Sequence, residues 1–202
     1  MQLAANYMFT EFSVNMGYAI GFHYSVIPSA GSDAIAGTCE SERHPQTRFF
    51  DTANFLFGWQ FRGTSDPETV KSIEWVNRMH DHLATRFPAS FDKNEDILYP
   101  IVMLVILGDR MRDAVGARRR SENDRLAVHH FWRDIASHMR GSHGPLVDFP
   151  ATVEDAERFA EDASIGSGSR HPPVARSPSC SSSSSTTSTS PVLCIHSGGR
   201  SS

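Results

Sequence analysis

His80 is the residue with the clearest capacity for chemistry, because it lies on the apolar face of a predicted helix. It stands four residues after Val76 and three before Leu83, so these three side chains share one side of the helix. A neutral imidazole in apolar surroundings, with no acid or base beside it on that face, suits axial ligation of a haem iron. The alternative is a core histidine bonded to a backbone carbonyl, and the spacing alone favours that second interpretation.

A second group with polar chemistry lies on an earlier predicted helix and consists of Arg48, Asp51 and Thr52. Their spacing places a guanidinium, a carboxylate and a hydroxyl on adjacent turns of one helix surface, where they could line a polar pocket. The alternative is an ordinary exposed Arg48–Asp51 pair, worth a few tenths of a kcal/mol. Phe55 and Trp59 continue the stripe of Arg48 and Thr52, so large apolar groups adjoin the polar ones.

Other residues that could carry chemistry have simpler interpretations. His129 and His130 are adjacent, so on a helix they point about 100° apart and cannot close one metal site alone. The run Arg118–Arg120 follows a helix end, where cations favour the carbonyl pole, and is predicted to be a solvated cap. The sequence has no phosphate-binding loop, dinucleotide fingerprint, zinc-protease motif or nucleophile elbow.

The elements that position these residues are predicted to be helices, because apolar residues recur every three or four positions as far as about residue 162. The predicted fold class is all-α, a single multi-helix domain with no convincing hairpin. Helix starts are indicated by Asp66 before Pro67, by Asn94 and by Ser121. The predicted helices are Asn6–Val26, about Thr47 onward, Pro67–Phe87, Asn94–Val115, Ser121–Met139 and Thr152–Asp162, with loops at Gly31–Pro45 and Gly141–Pro150.

Composition divides the chain into two parts. Its 202 residues, 39% of them hydrophobic, suffice for one domain of ordinary size, which we place at residues 1–163. Residues 164–202 are rich in Ser, Pro and Gly and are predicted to be a disordered tail, although an erroneous exon or a shifted reading frame would give the same composition. With 23 acidic and 19 basic residues, no global charge favours nucleic acid or an anionic membrane.

Two apolar segments bear on membranes. The run Ile97–Leu107 is too short to cross a bilayer and is predicted to be a buried core helix. The segment Phe12–Ser32 has almost no charge, but its polar residues, glycines and proline favour contact with a membrane surface over spanning it. The N-terminus lacks the pattern of a secretory signal, so an intracellular address is expected.

Four short motifs in order carry a resemblance to a known family. They are Thr47-Arg48-Phe49-Phe50-Asp51-Thr52, Val76-Asn77-Arg78-Met79-His80, Asn94-Glu95-Asp96-Ile97-Leu98-Tyr99 and His130-Phe131-Trp132-Arg133. With these motifs the chain resembles the mpaB-type and latex-clearing rubber oxygenase catalytic domain, over about residues 8–162. The family domain continues with further helices where this chain becomes rich in serine.

This resemblance implies an all-helical haem b protein. Rubber oxygenases cleave carbon–carbon double bonds of polyisoprene, and the mycophenolic-acid branch shortens an isoprenoid side chain. The implied function is therefore a haem b-dependent oxygenase, an oxidoreductase whose partners are dioxygen and a small apolar, isoprenoid substrate rather than nucleic acid. The implied location is the cytoplasm or the surface of the endoplasmic reticulum membrane.

The resemblance also assigns site residues. The histidine of the family's asparagine-to-histidine motif is the proximal iron ligand, and His80 matches it, which reverses the preference given by spacing alone. In the rubber branch an arginine, a lysine and a threonine lie near the distal haem face; Arg48 and Thr52 match the first and last, whereas Asp51 replaces the lysine. The predicted catalytic residues are Arg48, Asp51 and Thr52, and the predicted haem-binding residues are His80, the iron ligand, with Phe55 and Trp59 lining the apolar wall.

Two alternatives to an active oxygenase stay open at the level of sequence. The anion of Asp51 cannot act as the lysine does, and the shorter domain lacks helices of the family. Both features also fit a non-catalytic helical interaction protein, or an inactive fragment of such an oxygenase.

Overall fold

A computed structural model describes residues 10–26, 29–39 and 43–168. Over these ranges the chain is almost entirely helical, which confirms the predicted all-α fold class. The helices are α1 (Glu11–Val26), α2 (Ser29–Thr38), α3 (Pro45–Arg62), α4 (Pro67–Arg86), α5 (Asn94–Ala114), α6 (Glu122–Ser137) and α7 (Val153–Gly168), with a short 3₁₀ helix at Pro88–Ser90. Strands β1 (Arg140–Gly141) and β2 (Gly144–Pro145) form an antiparallel hairpin between α6 and α7.

Local capping explains the helix boundaries that the sequence predicts well. The Asp66 carboxylate accepts a hydrogen bond from the Glu68 amide at 2.8 Å, just before α4 begins with Pro67. The Ser121 hydroxyl accepts from the Asp124 amide at 3.2 Å at the start of α6. Gly116 takes a φ of +66° just after α5, a conformation that favours glycine. Both caps satisfy amides that have no partner within their helix.

The predicted loop at Gly31–Pro45 is wrong for its first part, because α2 occupies Ser29–Thr38. Residues such as serine and glycine favour turns, but here tertiary packing outweighs that preference. Helix α2 packs on the 3₁₀ helix, and a Cβ added at Gly37 would lie 2.3 Å from the Phe87 ring. The glycine therefore permits a close approach that no periodicity reveals.

Two further differences concern the C-terminal half. The predicted loop at Gly141–Pro150 contains the second strand of a hairpin, which the sequence analysis did not find. Helix α7 continues past the predicted end at Asp162 to Gly168. The predicted start of the first helix at Asn6 and the predicted tail beyond residue 168 lie outside the described residues.

Helix α5 is the centre of the core. Leu98, Val102 and Ile106 are 1%, 0% and 1% exposed, and buried residues occur around its whole circumference. The prediction of a buried core helix at Ile97–Leu107 is therefore confirmed. Helices α1, α6 and α7 pack around α5, and α4 carries Ile73 and Val76 into the same core. Within the described ranges, no helix combines the length and apolarity needed to cross a bilayer.

A buried ion network joins α5 to the two helices that follow it. Asp109 accepts hydrogen bonds from Arg120 at 2.9 and 3.0 Å and from Arg125 at 3.1 Å. Arg125 also reaches Glu157 of α7 at 3.0 Å. Burial raises the pKa of Asp109, but the hydrogen bonds and charge of Arg120, with the charge of Arg125, lower it below its usual range. The predicted solvated cap is therefore wrong for Arg120, whose guanidinium is largely buried.

Candidate functional site

His80 lies in the second half of α4, where a narrow cleft separates this helix from the hairpin and from the segment between the 3₁₀ helix and α5. The Phe91 ring packs against the imidazole, with 5.3 Å between the ring centroids. The cleft is lined by His80, Asp81, Ala84, Phe91, Ile97, Arg140, Gly141 and Ser142. The imidazole is thus enclosed by three separate parts of the chain.

The surroundings of His80 keep its imidazole neutral. Burial is the largest cause that lowers the pKa of His80, and the charge of Arg48 lowers it further. The Asp81 carboxylate opposes both effects, and the pKa falls from 6.5 to about 4. Nδ1 of His80 is buried and has no hydrogen-bond partner. The structure therefore lacks the bond from Nδ1 to a backbone carbonyl that a core histidine would make. Near neutral pH the imidazole is unprotonated and its Nδ1 has no partner.

Arg48 on α3 is the cation whose charge lowers the pKa of the His80 imidazole. Its charge lowers the pKa of His80 and also acts on Tyr18 of α1, whose pKa burial raises and Arg48 partly restores. Nε of Arg48 is buried without a hydrogen-bond partner. A guanidinium has hydrogen-bond donors and no acceptor. The unpartnered Nε–H of Arg48 is therefore suited to an anionic or oxygen-bearing ligand.

The three predicted catalytic residues do not share one environment. Arg48 and Thr52 are half-buried, whereas Asp51 is exposed, and only the charge of Arg48 acts on His80. No ion pair joins Arg48 to Asp51, although both belong to the described part of the chain. The structure thus associates Arg48 with His80 and leaves Asp51 on the outer surface of α3.

Phe55 and Trp59 lie where α3 meets α4. Phe55 stacks on Trp75 with 5.2 Å between centroids and is tilted against Trp59 at 6.1 Å. Trp59 is buried in the core, and its indole N–H donates to the Ser72 hydroxyl. Trp75 in turn is 42% exposed and, with Arg78 and Met79, lines an open cavity of about 430 Å³. The aromatic pair therefore supports the wall of this cavity from behind.

Three residues beside His80 were not predicted as site residues: Asn77, which the sequence presents only as part of a motif, Phe91 and Arg140. Asn77 is fully buried one turn before His80 and bonds the backbone at His138 and Arg140. Its presence among the apolar residues of α4 is a signal that sequence alone could have given, because a buried amide needs specific partners. Nothing in the local sequence brings Phe91 or Arg140 to the same cleft.

The histidine pair on α6 behaves as the sequence analysis expected. His129 is 1% exposed and its Nε2 lies 2.9 Å from the Pro150 carbonyl oxygen, whereas His130 is exposed. The two rings do not converge on one ligand. Across residues 10–26, 29–39 and 43–168, no three His, Cys, Asp or Glu side chains cluster as metal ligands do. A single axial histidine does not require such a cluster.

A family model described as "ER-bound oxygenase mpaB/B'/Rubber oxygenase, catalytic domain" matches residues 14–181, which is most of the chain. This match confirms the resemblance drawn from the four motifs. No curated protein matches the chain.

Proposed function

Since the chain belongs to the family of mpaB-type and rubber oxygenase catalytic domains, we propose that it is a haem b-dependent oxygenase that cleaves a carbon–carbon double bond of an apolar, isoprenoid substrate. Dioxygen is the proposed co-substrate. We place the protein inside the cell, in the cytoplasm or at the endoplasmic reticulum membrane that the family description mentions. The observation that carries the proposal is the largely buried, neutral imidazole of His80 with its unsatisfied Nδ1.

His80 is suited to hold the haem because iron takes the neutral form of imidazole. Its pKa of about 4 means that almost no His80 is protonated near neutral pH. The unsatisfied buried nitrogen is the second supporting feature, since buried polar atoms in proteins normally have a partner. Bound haem would supply the iron chemistry with dioxygen that oxidative cleavage needs.

Arg48 and Thr52 are the proposed polar contacts of the site. The guanidinium of Arg48 presents donors, one of them buried and unsatisfied, that fit a haem propionate or an oxygen atom. The Thr52 hydroxyl is half-buried one turn further along the same helix. Asp51 is exposed, so its carboxylate need not lose its hydration when an anion binds to Arg48.

An apolar substrate has a suitable surface on α4, separate from the cleft that holds His80. Met79 precedes His80 in the chain and, with Trp75 and Arg78, lines the open cavity of about 430 Å³. This cavity is open to solvent and its lining is mostly apolar. The Trp75 ring, which stacks on Phe55, gives it a hydrocarbon wall. Such a wall favours an unsaturated hydrocarbon chain over a polar substrate.

The test is an ultraviolet–visible spectrum of the full chain after reconstitution with haem, recorded beside two variants. We expect a Soret band in the wild type that His80→Ala removes or shifts. His82→Ala is the matched control, because His82 lies on the same helix but is exposed. Absence of a specific band in the wild type would withdraw the oxygenase and leave the second candidate.

That second candidate is a non-catalytic helical interaction protein. It is favoured by the exposed carboxylate of Asp51 at the position where the rubber branch has a lysine. A chain that folds stably without haem, and whose folding and haem content are unchanged by His80→Ala, would support it.

A further inference from the structure

We propose that the hairpin formed by β1 and β2 (residues 140–145) is a clamp that orients the His80 ring, and that Asn77 and Arg140 are positioning residues of the haem site. The role in a haem site rests on the proposed function, whereas the contacts between the hairpin and α4 do not. It assigns a role to side chains that touch neither substrate nor haem and act through His80.

Asn77 joins α4 to the chain that enters the hairpin. Its side-chain amide donates to the His138 carbonyl oxygen at 2.9 Å, and its carbonyl oxygen accepts from the Arg140 amide at 3.2 Å. The first bond satisfies a carbonyl at the C-terminal end of α6, and the second fixes the first residue of β1. One fully buried side chain thus holds the hairpin one helical turn from His80.

Arg140 makes the reverse connection, from the hairpin to α4. Its guanidinium donates to Glu74 at 2.6 and 3.1 Å and to Asp81 at 2.9 Å. Glu74 and Asp81 lie two turns apart on α4, so the guanidinium spans the stretch that contains Asn77 and His80. The backbone and the side chain of Arg140 therefore both bind the segment of α4 from Glu74 to Asp81.

The turn of the hairpin contacts the segment that carries Phe91, whose ring covers His80. The Ser142 hydroxyl donates to the Phe91 carbonyl oxygen at 2.8 Å, and His143 lies 3.1 Å from the Asp92 carboxylate. Phe91 is the residue whose ring packs on His80. The hairpin consequently connects the helix that bears the imidazole to the segment that covers it.

A clamp is needed because His80 makes no hydrogen bond within the described part of the chain, so no bond orients its ring, whichever nitrogen meets the iron. In metal sites a ligating histidine usually donates its other ring nitrogen to a partner that sets the ring orientation, and loss of such support costs about 10–100-fold in affinity or activity. Here packing by Phe91, on a helix held by Asn77 and Arg140, takes the place of that bond. The orientation of His80 therefore depends on the hairpin.

The test measures access to His80 in the full-length apoprotein by its rate of modification with diethyl pyrocarbonate, followed by peptide mass spectrometry. We expect Asn77→Ala to raise that rate roughly tenfold, because it removes both hydrogen bonds that join α4 to the hairpin through this side chain. Arg140→Gln should raise it less, since the backbone bond to Asn77 remains. Arg119→Gln, which breaks an exposed pair with Asp113 far along the chain, is the matched control and should leave the rate unchanged.

Arg120→Gln supplies the control for general loss of stability, because it weakens the buried network around Asp109 instead. The proposal is overturned if Asn77→Ala and Arg140→Gln leave the His80 rate at its wild-type value, or if Arg120→Gln raises that rate as much for an equal fall in melting temperature. If Asn77→Ala does not fold, the modification rates of His80 in Arg140→Gln and Ser142→Ala test the proposal instead, because both substitutions alter less buried contacts. If the wild type binds no haem but Asn77→Ala and Arg140→Gln still raise the His80 rate selectively, the clamp is supported and the proposed oxygenase function is withdrawn.

Discussion

The Phe91 ring lies 5.3 Å from the His80 ring, tilted by 36°, and shields the imidazole from water. Phe91 belongs to the segment before α5, so the shield and the imidazole come from different elements. Burial is the largest cause of the low pKa of His80, and the charge of Arg48 is the second. A histidine so placed stays neutral where an exposed one would begin to take up a proton.

This environment predicts how stability depends on pH. The pKa of His80 is lowered from 6.5 to about 4 in the folded chain, so between these values the unfolded chain binds more protons. The stabilisation is complete above pH 6.5 and is lost as the pH falls to about 4, by at most roughly 3.5 kcal/mol. Urea unfolding at several pH values should show this loss in the wild type relative to His80→Gln. Parallel curves for the two proteins would refute the assignment.

The buried network around Asp109 predicts that Asp109→Asn lowers the free energy of unfolding much more than the matched substitution Asp113→Asn. Asp109→Asn removes the charge that two largely buried arginines share, and should lower the free energy of unfolding by about 3–5 kcal/mol. Asp113→Asn alters an exposed pair with Arg119 and should cost less than about 1 kcal/mol. Urea denaturation of both variants makes the comparison, and equal losses would contradict a buried role for Asp109.

Two glycines in helices should respond oppositely to alanine. At Gly37 the added Cβ meets the Phe87 ring at 2.3 Å, so Gly37→Ala should cost about 1–3 kcal/mol through overpacking. At Gly17 no atom lies within 4 Å of the added Cβ, so Gly17→Ala should stabilise by up to about 1 kcal/mol through helix propensity. Thermal unfolding followed by circular dichroism separates them. A neutral Gly37→Ala would mean that α2 does not pack closely on Phe87.

The neighbouring histidines on α6 give a further matched pair. His129→Ala removes a buried ring and leaves the Pro150 carbonyl without its partner, so the free energy of unfolding should fall by about 3 kcal/mol. His130→Ala changes an exposed side chain and should stay within about 0.5 kcal/mol. Chemical denaturation measures both, and haem content should be the same in the two variants. A selective loss of haem in His130→Ala would point to a ligand role that the geometry does not support.

Much of the fold could be predicted from local patterns. The caps at Asp66 and Ser121 and the apolar run of α5 are signals carried within one turn or one helix, and the structure has each where the pattern indicates. Helix α2 was missed because its formation depends on a contact between Gly37 and Phe87, far apart in the chain. Arg120 was misjudged for the same reason, since its partner Asp109 lies on another helix.

The candidate site was predictable only in part. The phase of α4 indicates that His80 turns toward the core, and the structure places it there. Its low pKa, its unsatisfied Nδ1 and its cover by Phe91 come from segments that no spacing rule connects to α4. Arg48 was singled out by its motif, yet its electrostatic effect on His80 needs the packing of α3 on α4. The roles of Arg48, Asp51, Thr52, Phe55 and Trp59 in catalysis or haem binding remain predictions.

The bonds from Asn77 to His138 and Arg140 join residues 61 and 63 positions apart. Because such non-local contacts must close long loops, we expect them to form after the helices, which depend on neighbouring residues. During synthesis α4 can emerge and coil while the residues that complete its cleft have yet to be made. The imidazole of His80 is then accessible on a growing chain and becomes enclosed only afterwards. A prosthetic group that enters this cleft would accordingly meet it most easily before residues 138–145 have packed against α4.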